Sequence, residues 1–155
     1  MDNAFQIIKK DETKLTEVLN YFLEEYEEAK KDLKISGRLD KCISELSSKF
    51  EMRYSQLQDL EAILEHFNIK LKAIKSKKYQ QLINTSARSL TQSDLRQYID
   101  GDEQVVAMQT IINEIALVRN KFISLSKGYE SCNWQLSNLT RLYTAGLDGV
   151  VVWLK

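Results

Sequence analysis

The 155-residue chain has no proline, a single histidine, two cysteines and five glycines. Without proline, and with glycine only at positions 37, 101, 128, 146 and 149, little interrupts main-chain hydrogen bonding, so long helices are permitted over most of the length. The cysteines, Cys42 and Cys132, are too far apart for a metal-ligand spacing and too few for a disulfide framework, and both read as small core or seam residues. No apolar run approaches the roughly 18 residues that a spanning helix needs. The opening MDNAFQIIKKDE lacks the basic-then-apolar order of a secretory signal, so a cytoplasmic protein away from membranes is expected. The chain does have enough apolar residues, 43%, and no net charge, which together exclude the composition of a disordered chain. Its length suits one domain.

Catalytic chemistry is equally scarce. There is no phosphate loop of the G-x-x-x-x-G-K-[ST] type, no H-E-x-x-H and no C-x-x-C. The lone His66 adjoins the apolar positions Leu64 and Phe67 and reads as a residue beside a packed face. The acidic cluster Asp100, Asp102 and Glu103 fails as a calcium loop, because counting from Asp94 places Arg96, Tyr98 and Ile99 where two oxygen ligands and a glycine are required. It reads instead as a break at Asp100-Gly101 followed by a helix capped by Asp102, and Thr91 or Ser93 starts a short helix through Leu95, Tyr98 and Ile99. No catalytic residue, metal or cofactor is expected. An enzyme built on Glu65-His66 or on the acids at 100–103 is the least favoured class.

Apolar spacing points to an all-α fold of long helices. Leu15, Leu19, Phe22, Tyr26, Ala29 and Leu33 make one stripe on a helix expected over 13–34 and ended by Gly37. A second pattern runs from Leu39 through Ile43, Leu46 and Phe50 to Leu57, Leu60, Leu64, Phe67, Leu71 and Ile74; Arg53 is its one exception, and a turn near Ser47 and Ser48 is expected to split it. The most regular pattern is Met108, Ile111, Ile115, Val118, Phe122, Leu125, Tyr129, Cys132, Leu136, Leu139 and Tyr143, with unbroken steps of three and four. A helix of about 40 residues is roughly 60 Å long, more than so small a remainder is expected to cover. This seam is therefore expected to meet other subunits in part, as a helical bundle or a ring-like homo-oligomer, and an intrachain bundle is the alternative. Ile112, Ala116 and Ile123 widen the face beyond a two-stranded seam.

Zero net charge conceals segregation. Residues 1–36 carry 9 acidic and 6 basic side chains, whereas 67–93 carry Lys70, Lys72, Lys75, Lys77, Lys78 and Arg88 with no acid at all. A one-signed block of this kind concentrates potential on one face. Lysines beside an aromatic, here Tyr79, suit single-stranded nucleic acid, since phosphates are neutralised while a base stacks. The organisation expected is an acidic N-terminal helix at 1–36, a helical DNA-binding region at 37–92 and an oligomerisation helix with its tail at 93–155.

The pattern SDLRQYIDGDEQV from residue 93, the seam helix and then YESCNWQLSNLTRLYTAGL resemble the UvsY-type recombination mediators of tailed phages. The matching positions are Ser93, Asp94, Leu95, Tyr98, Ile99, Asp102 and Glu103, then Gln135, Leu136, Asn138 and Gly146. Upstream, DLKI at 32–35, Leu39 and Ser48-Lys49-Phe50 are similar to the family's entry region, and the lysine-rich stretch before Tyr79 to its basic helix. Departures are Gln80 and Asn84-Thr85, where a second aromatic and a glycine are expected, the helix at 1–30, and the tail VVVWLK. The resemblance implies a non-enzymatic accessory of recombination, and with it of DNA repair and replication, in the cytoplasm of a bacterial host. It implies binding to single-stranded DNA, to a RecA-like recombinase and to the single-stranded DNA-binding protein, and assembly into rings of six or seven subunits. Lys70, Lys72, Lys75, Lys77, Lys78 and Arg88 would then carry strand contact, with Tyr79 stacking, and the seam at 105–143 would carry assembly. A scaffolding coiled coil with no DNA role is the rival reading.

Overall fold

The computed structural model describes residues 4–35, 37–85 and 91–147. Five α-helices and no strand occur among them: α1 (Ala4–Lys10), α2 (Leu15–Asp32), α3 (Leu39–Thr85), α4 (Gln92–Asp100) and α5 (Glu103–Thr144), with a 3₁₀ turn at Glu12–Lys14 between α1 and α2. Arg88 and the apolar tail from Gly149 onward lie outside the described residues. The all-α reading therefore holds, and so do its local signals. Thr91 and Asp94 form a reciprocal capping box at the start of α4. The Asp102 carboxylate accepts from the Gln104 N–H at 3.0 Å to cap α5. The C-terminus of α5 closes in a Schellman turn, with the Leu147 N–H donating to the Leu142 carbonyl and Gly146 at φ +71° supplying the left-handed residue.

Two expectations about the helices change. The helix expected over 13–34 is shorter and is preceded by the 3₁₀ turn, whose N-terminus Asp11 caps by accepting from the Thr13 N–H at 3.1 Å. No turn divides α3 at Ser47 and Ser48. The hydroxyls of Ser44 and Ser48 donate instead to the Lys41 and Glu45 carbonyls, at 2.9 and 3.0 Å. With its hydroxyl satisfied one turn back, a serine stays in a helix at little cost.

Pairings along the helices give the topology. Phe22 lies edge-on to Phe122, with ring centroids 5.7 Å apart, and the Tyr129 hydroxyl donates to Asp32 at 3.4 Å, so α2 and α5 run parallel. Lys49 pairs with Asp32 and Lys70 with Glu12, while Phe50 meets Tyr129 and Lys78 meets Asp102, so α3 runs against both. One core spans this three-helix bundle, with Phe22, Leu60, Ile63, Ile115, Phe122 and Tyr129 among its fully buried members. Each such side chain contributes about 1.5–3 kcal/mol of burial. α1 lies on α3, with Ala4 and Ile8 buried in the common core.

The seam expected to meet other subunits is mostly closed within the chain. Ile115, Val118, Phe122, Leu125, Tyr129, Cys132 and Leu136 are buried by α2 and α3, and Met108 and Ile111 are half-buried. The expectation that so small a remainder could not cover the seam fails because α3 is itself long enough. At 47 residues, α3 is roughly 70 Å long and matches the roughly 63 Å of the 42-residue α5. Only the end of the seam escapes, with Leu139 44% and Tyr143 68% exposed.

Arg53, the exception in the α3 stripe, is 5% exposed at the junction of α2 and α3. Its guanidinium donates to Glu25 on α2 and, at 3.0 Å, to the Gln56 side-chain oxygen, while the Gln56 amide donates to Glu25 at 2.9 Å. Burial alone would raise the Glu25 pKa, but the Gln56 and Arg53 hydrogen bonds outweigh it and hold the carboxyl below its ordinary value. Nearby, Gly128 lets the Leu33 side chain nest on α5, since a Cβ there would sit 2.9 Å from Leu33 Cδ1.

Candidate nucleic-acid interface

The basic stretch occupies the second half of α3, beyond the reach of α2, where α4 and the start of α5 pack beside it. On a helix the lysines cannot share one face. With about 100° per residue, Lys72, Lys75 and Tyr79 lie within about 60° of one another, whereas Lys70 and Lys77 lie on the far side. The structure therefore divides the expected site in two.

Ion pairs divide it further. Lys75 Nζ lies 2.7 Å from Asp100 Oδ1, and Lys78 Nζ lies 2.8 Å from Asp102 Oδ2. Lys70 pairs with Glu12 of the 3₁₀ turn, whose second oxygen lies 2.8 Å from His66 Nε2. The hydrogen bond from Lys78 holds the Asp102 carboxyl below its ordinary pKa, and that from Lys70 does the same for Glu12. So three of the five lysines, expected to be free for phosphates, are already neutralised within the chain. The cause is invisible in a count along the sequence: the acids come from residues 12, 100 and 102, outside the block. Lys72 and Lys77 are exposed and form no ion pair among the described residues.

What remains on the Lys72 side is a mixed surface. Tyr79 is 42% exposed, and Ser76 and Ile83 are exposed on the same side of the helix. The aromatic expected to stack is thus available to solvent, next to one free lysine and one paired lysine. A second aromatic was missed. Tyr98, read as part of the apolar stripe of α4, is 63% exposed, while Leu95 and Ile99 make the buried contact. Tyr98 borders a cleft of about 340 Å³ with Lys78, Gln81, Leu82, Thr85, Ile99 and Asp102. The spacing of a nine-residue helix could not separate Tyr98 from Ile99, because they stand three and four positions after Leu95 and either can share its face.

His66 is held by Glu12 and packs edge-on to Phe5 and Phe67, which places it in the attachment of α1 and the 3₁₀ turn to α3. No group of three His, Cys, Asp or Glu side chains among the described residues is arranged to hold a metal ion. No helix among them is long and apolar enough to cross a membrane. At the opposite end of the bundle an open groove of about 270 Å³ runs between α3 and α5, with Ile43, Leu46, Phe50, Tyr129 and Leu136 as its apolar lining. Beyond it lie the exposed Leu139, Leu142, Tyr143 and Leu147.

No protein family, curated protein or solved structure matches this chain.

Proposed function

We propose that the chain is a recombination mediator: a non-enzymatic protein that binds single-stranded DNA and helps a RecA-like recombinase take the place of the single-stranded DNA-binding protein. The observation that carries this reading is the acid-free end of α3 from Phe67 to Thr85, which presents Lys72 and the exposed Tyr79 on one side with Lys75 at its edge. Cation and aromatic side by side are what a sequence-tolerant single-strand surface needs. The resemblance of residues 32–147 to UvsY-type mediators supports the same reading and adds assembly into rings of six or seven subunits in a bacterial host. Assembly would use the uncovered end of the seam, Leu139 and Tyr143 with Leu142 and Leu147, and not the positions from Ile115 to Leu136 that the chain buries itself.

The test is fluorescence anisotropy of a labelled single strand at two salt concentrations, beside a duplex and beside the Lys72→Ala/Lys75→Ala/Tyr79→Ala variant. Salt-sensitive binding that prefers the single strand and is lost in a folded variant is expected. A second arm asks whether the protein speeds recombinase assembly on a strand already covered by single-stranded DNA-binding protein. Absence of binding at low salt by a well-folded protein would refute the proposal. It would leave the scaffold reading, which the pairing of Lys70, Lys75 and Lys78 inside the chain favours.

A further inference from the structure

The joint between α4 and α5 consists of three residues, Asp100, Gly101 and Asp102, and both of its acids are bound to α3. Asp100 is the last residue of α4 and takes Lys75; Asp102 is the N-cap of α5 and takes Lys78. The two lysines are three positions apart, so they are neighbours on one side of α3. The short joint thus holds two carboxylates against two adjacent ammonium groups, much as a stretch of strand would hold two phosphates.

We propose that this joint is an internal stand-in for the nucleic-acid backbone: Asp100 and Asp102 occupy the phosphate-binding lysines Lys75 and Lys78, and a single strand binds by displacing them. The inference rests on the strand-binding reading above and deepens it. Three features support an exchange. Both pairs are partly open to solvent, so displaced carboxylates pass into water at little cost. Asp102 keeps its second task, capping α5 through the Gln104 N–H, whether or not Lys78 is present, so α5 need not fray when the pair opens. And among the described residues α4 buries two side chains, Leu95 and Ile99, of which Ile99 belongs to the bundle core, so loss of the Asp100 tether loosens a short element without opening the core. Because linkage is reciprocal, whatever weakens the joint strengthens strand binding, and strand binding weakens the joint.

The experiment compares the full chain with the Asp100→Asn/Asp102→Asn double variant. Asparagine caps a helix as well as aspartate does, so the variant releases the lysines and spares α5. A second double variant, Glu103→Gln/Glu114→Gln, removes the same charge from acids that pair with no lysine among the described residues. Each protein is titrated into a labelled oligothymidylate over a range of salt. The joint variant should bind on the order of tenfold more tightly than the control variant. Its log–log salt slope should stay close to that of the wild type, because in both proteins the bound strand has the same phosphates neutralised by Lys75 and Lys78. Equal affinity in the two variants, with the wild type binding, would overturn the stand-in and leave the strand reading in place. Failure of all three to bind would overturn both. A second measurement needs no variant: hydrogen exchange of the α4 amides should quicken when the wild type is saturated with the oligonucleotide, and unchanged or slower exchange there would refute displacement.

Discussion

The Arg53 junction yields an asymmetric prediction. Arg53 is almost fully enclosed, 5% of its side chain reaching solvent, while its partner Glu25 keeps 23% exposure. Removing the acid by Glu25→Ala strands a guanidinium inside the bundle. Breaking a buried pair in this way costs about 3–5 kcal/mol. Because the Gln56 oxygen still accepts from Arg53 at 3.0 Å, the loss falls at or just below the low end of that range, about 2–3 kcal/mol. Removing the base by Arg53→Met has the opposite character. The buried charge disappears together with the Arg53 Nε, which finds no partner, and an apolar chain of similar length fills the space between α2 and α3. Glu25 retains the Gln56 amide at 2.9 Å and its contact with water. The expected cost is within about 1 kcal/mol, because well-packed apolar replacements of buried ion pairs are often neutral.

Urea unfolding followed by far-UV circular dichroism at one fixed protein concentration measures both. For a domain of this size, each kcal/mol moves the Tm by about 2–4 °C, so Glu25→Ala should melt roughly 4–12 °C below the wild type and Arg53→Met nearly with it. The double variant should follow Arg53→Met, since the acid has nothing left to neutralise. If Arg53→Met proves as costly as Glu25→Ala, the junction is a source of stability and the reasoning is refuted. If the outcome is as expected, the pair's use lies in alignment: only one register of α2 on α3 brings residue 25 to residue 53.

Three further outcomes follow from other contacts. Gly128→Leu should destabilise by about 1–3 kcal/mol through the clash with Leu33, while Gly128→Ala stays within about 1 kcal/mol because helix propensity offsets a contact with a flexible side-chain end; equal losses in urea unfolding would refute the nesting. Glu12, Glu25 and Asp102 all have lowered native pKa values, so their stabilisation is present above the ordinary carboxylate range and is lost as pH falls through the lowered values; a Tm constant from neutral to strongly acidic pH would contradict this. If the chain assembles as proposed, Leu139→Lys/Tyr143→Lys should lower the mass seen by sedimentation without reducing helix content, and an unchanged mass would remove the end of α5 from the proposed interface.

The fold was open to sequence reading to the extent that periodicity and caps decide it. Phe22, Leu60, Phe122 and Tyr129 fall on the stripes and in the core, and Thr91, Asp102 and Gly146 mark helix ends because their chemistry is local. Val18 was missed: it lies beside the stripe of α2 and is nevertheless fully buried in the core. A stripe reports that a face is covered, and carries no information about whether the cover belongs to the same chain. The eleven seam positions from Met108 to Tyr143 therefore fit a subunit interface and an intrachain bundle equally well until the continuity of α3 is known, and that continuity turned on two serine hydroxyls.

Charge runs have the same blindness. The lysines of α3 announce that anions will be nearby, and Glu12, Asp100 and Asp102 are the first to arrive because they are tethered. The basic block then fastens the 3₁₀ turn through Glu12, and α4 and the head of α5 through the acidic stretch that follows it, to one long helix. It does not exclude a second use. Partly exposed ion pairs are individually weak and are screened by salt. A polyanion engages several cations at once, and each neutralised phosphate releases counterions, a gain that the tethered carboxylates do not have. The side chains that close the fold are thus those a strand could take over, and the salt dependence of binding would report how many have been released, not how many the sequence contains.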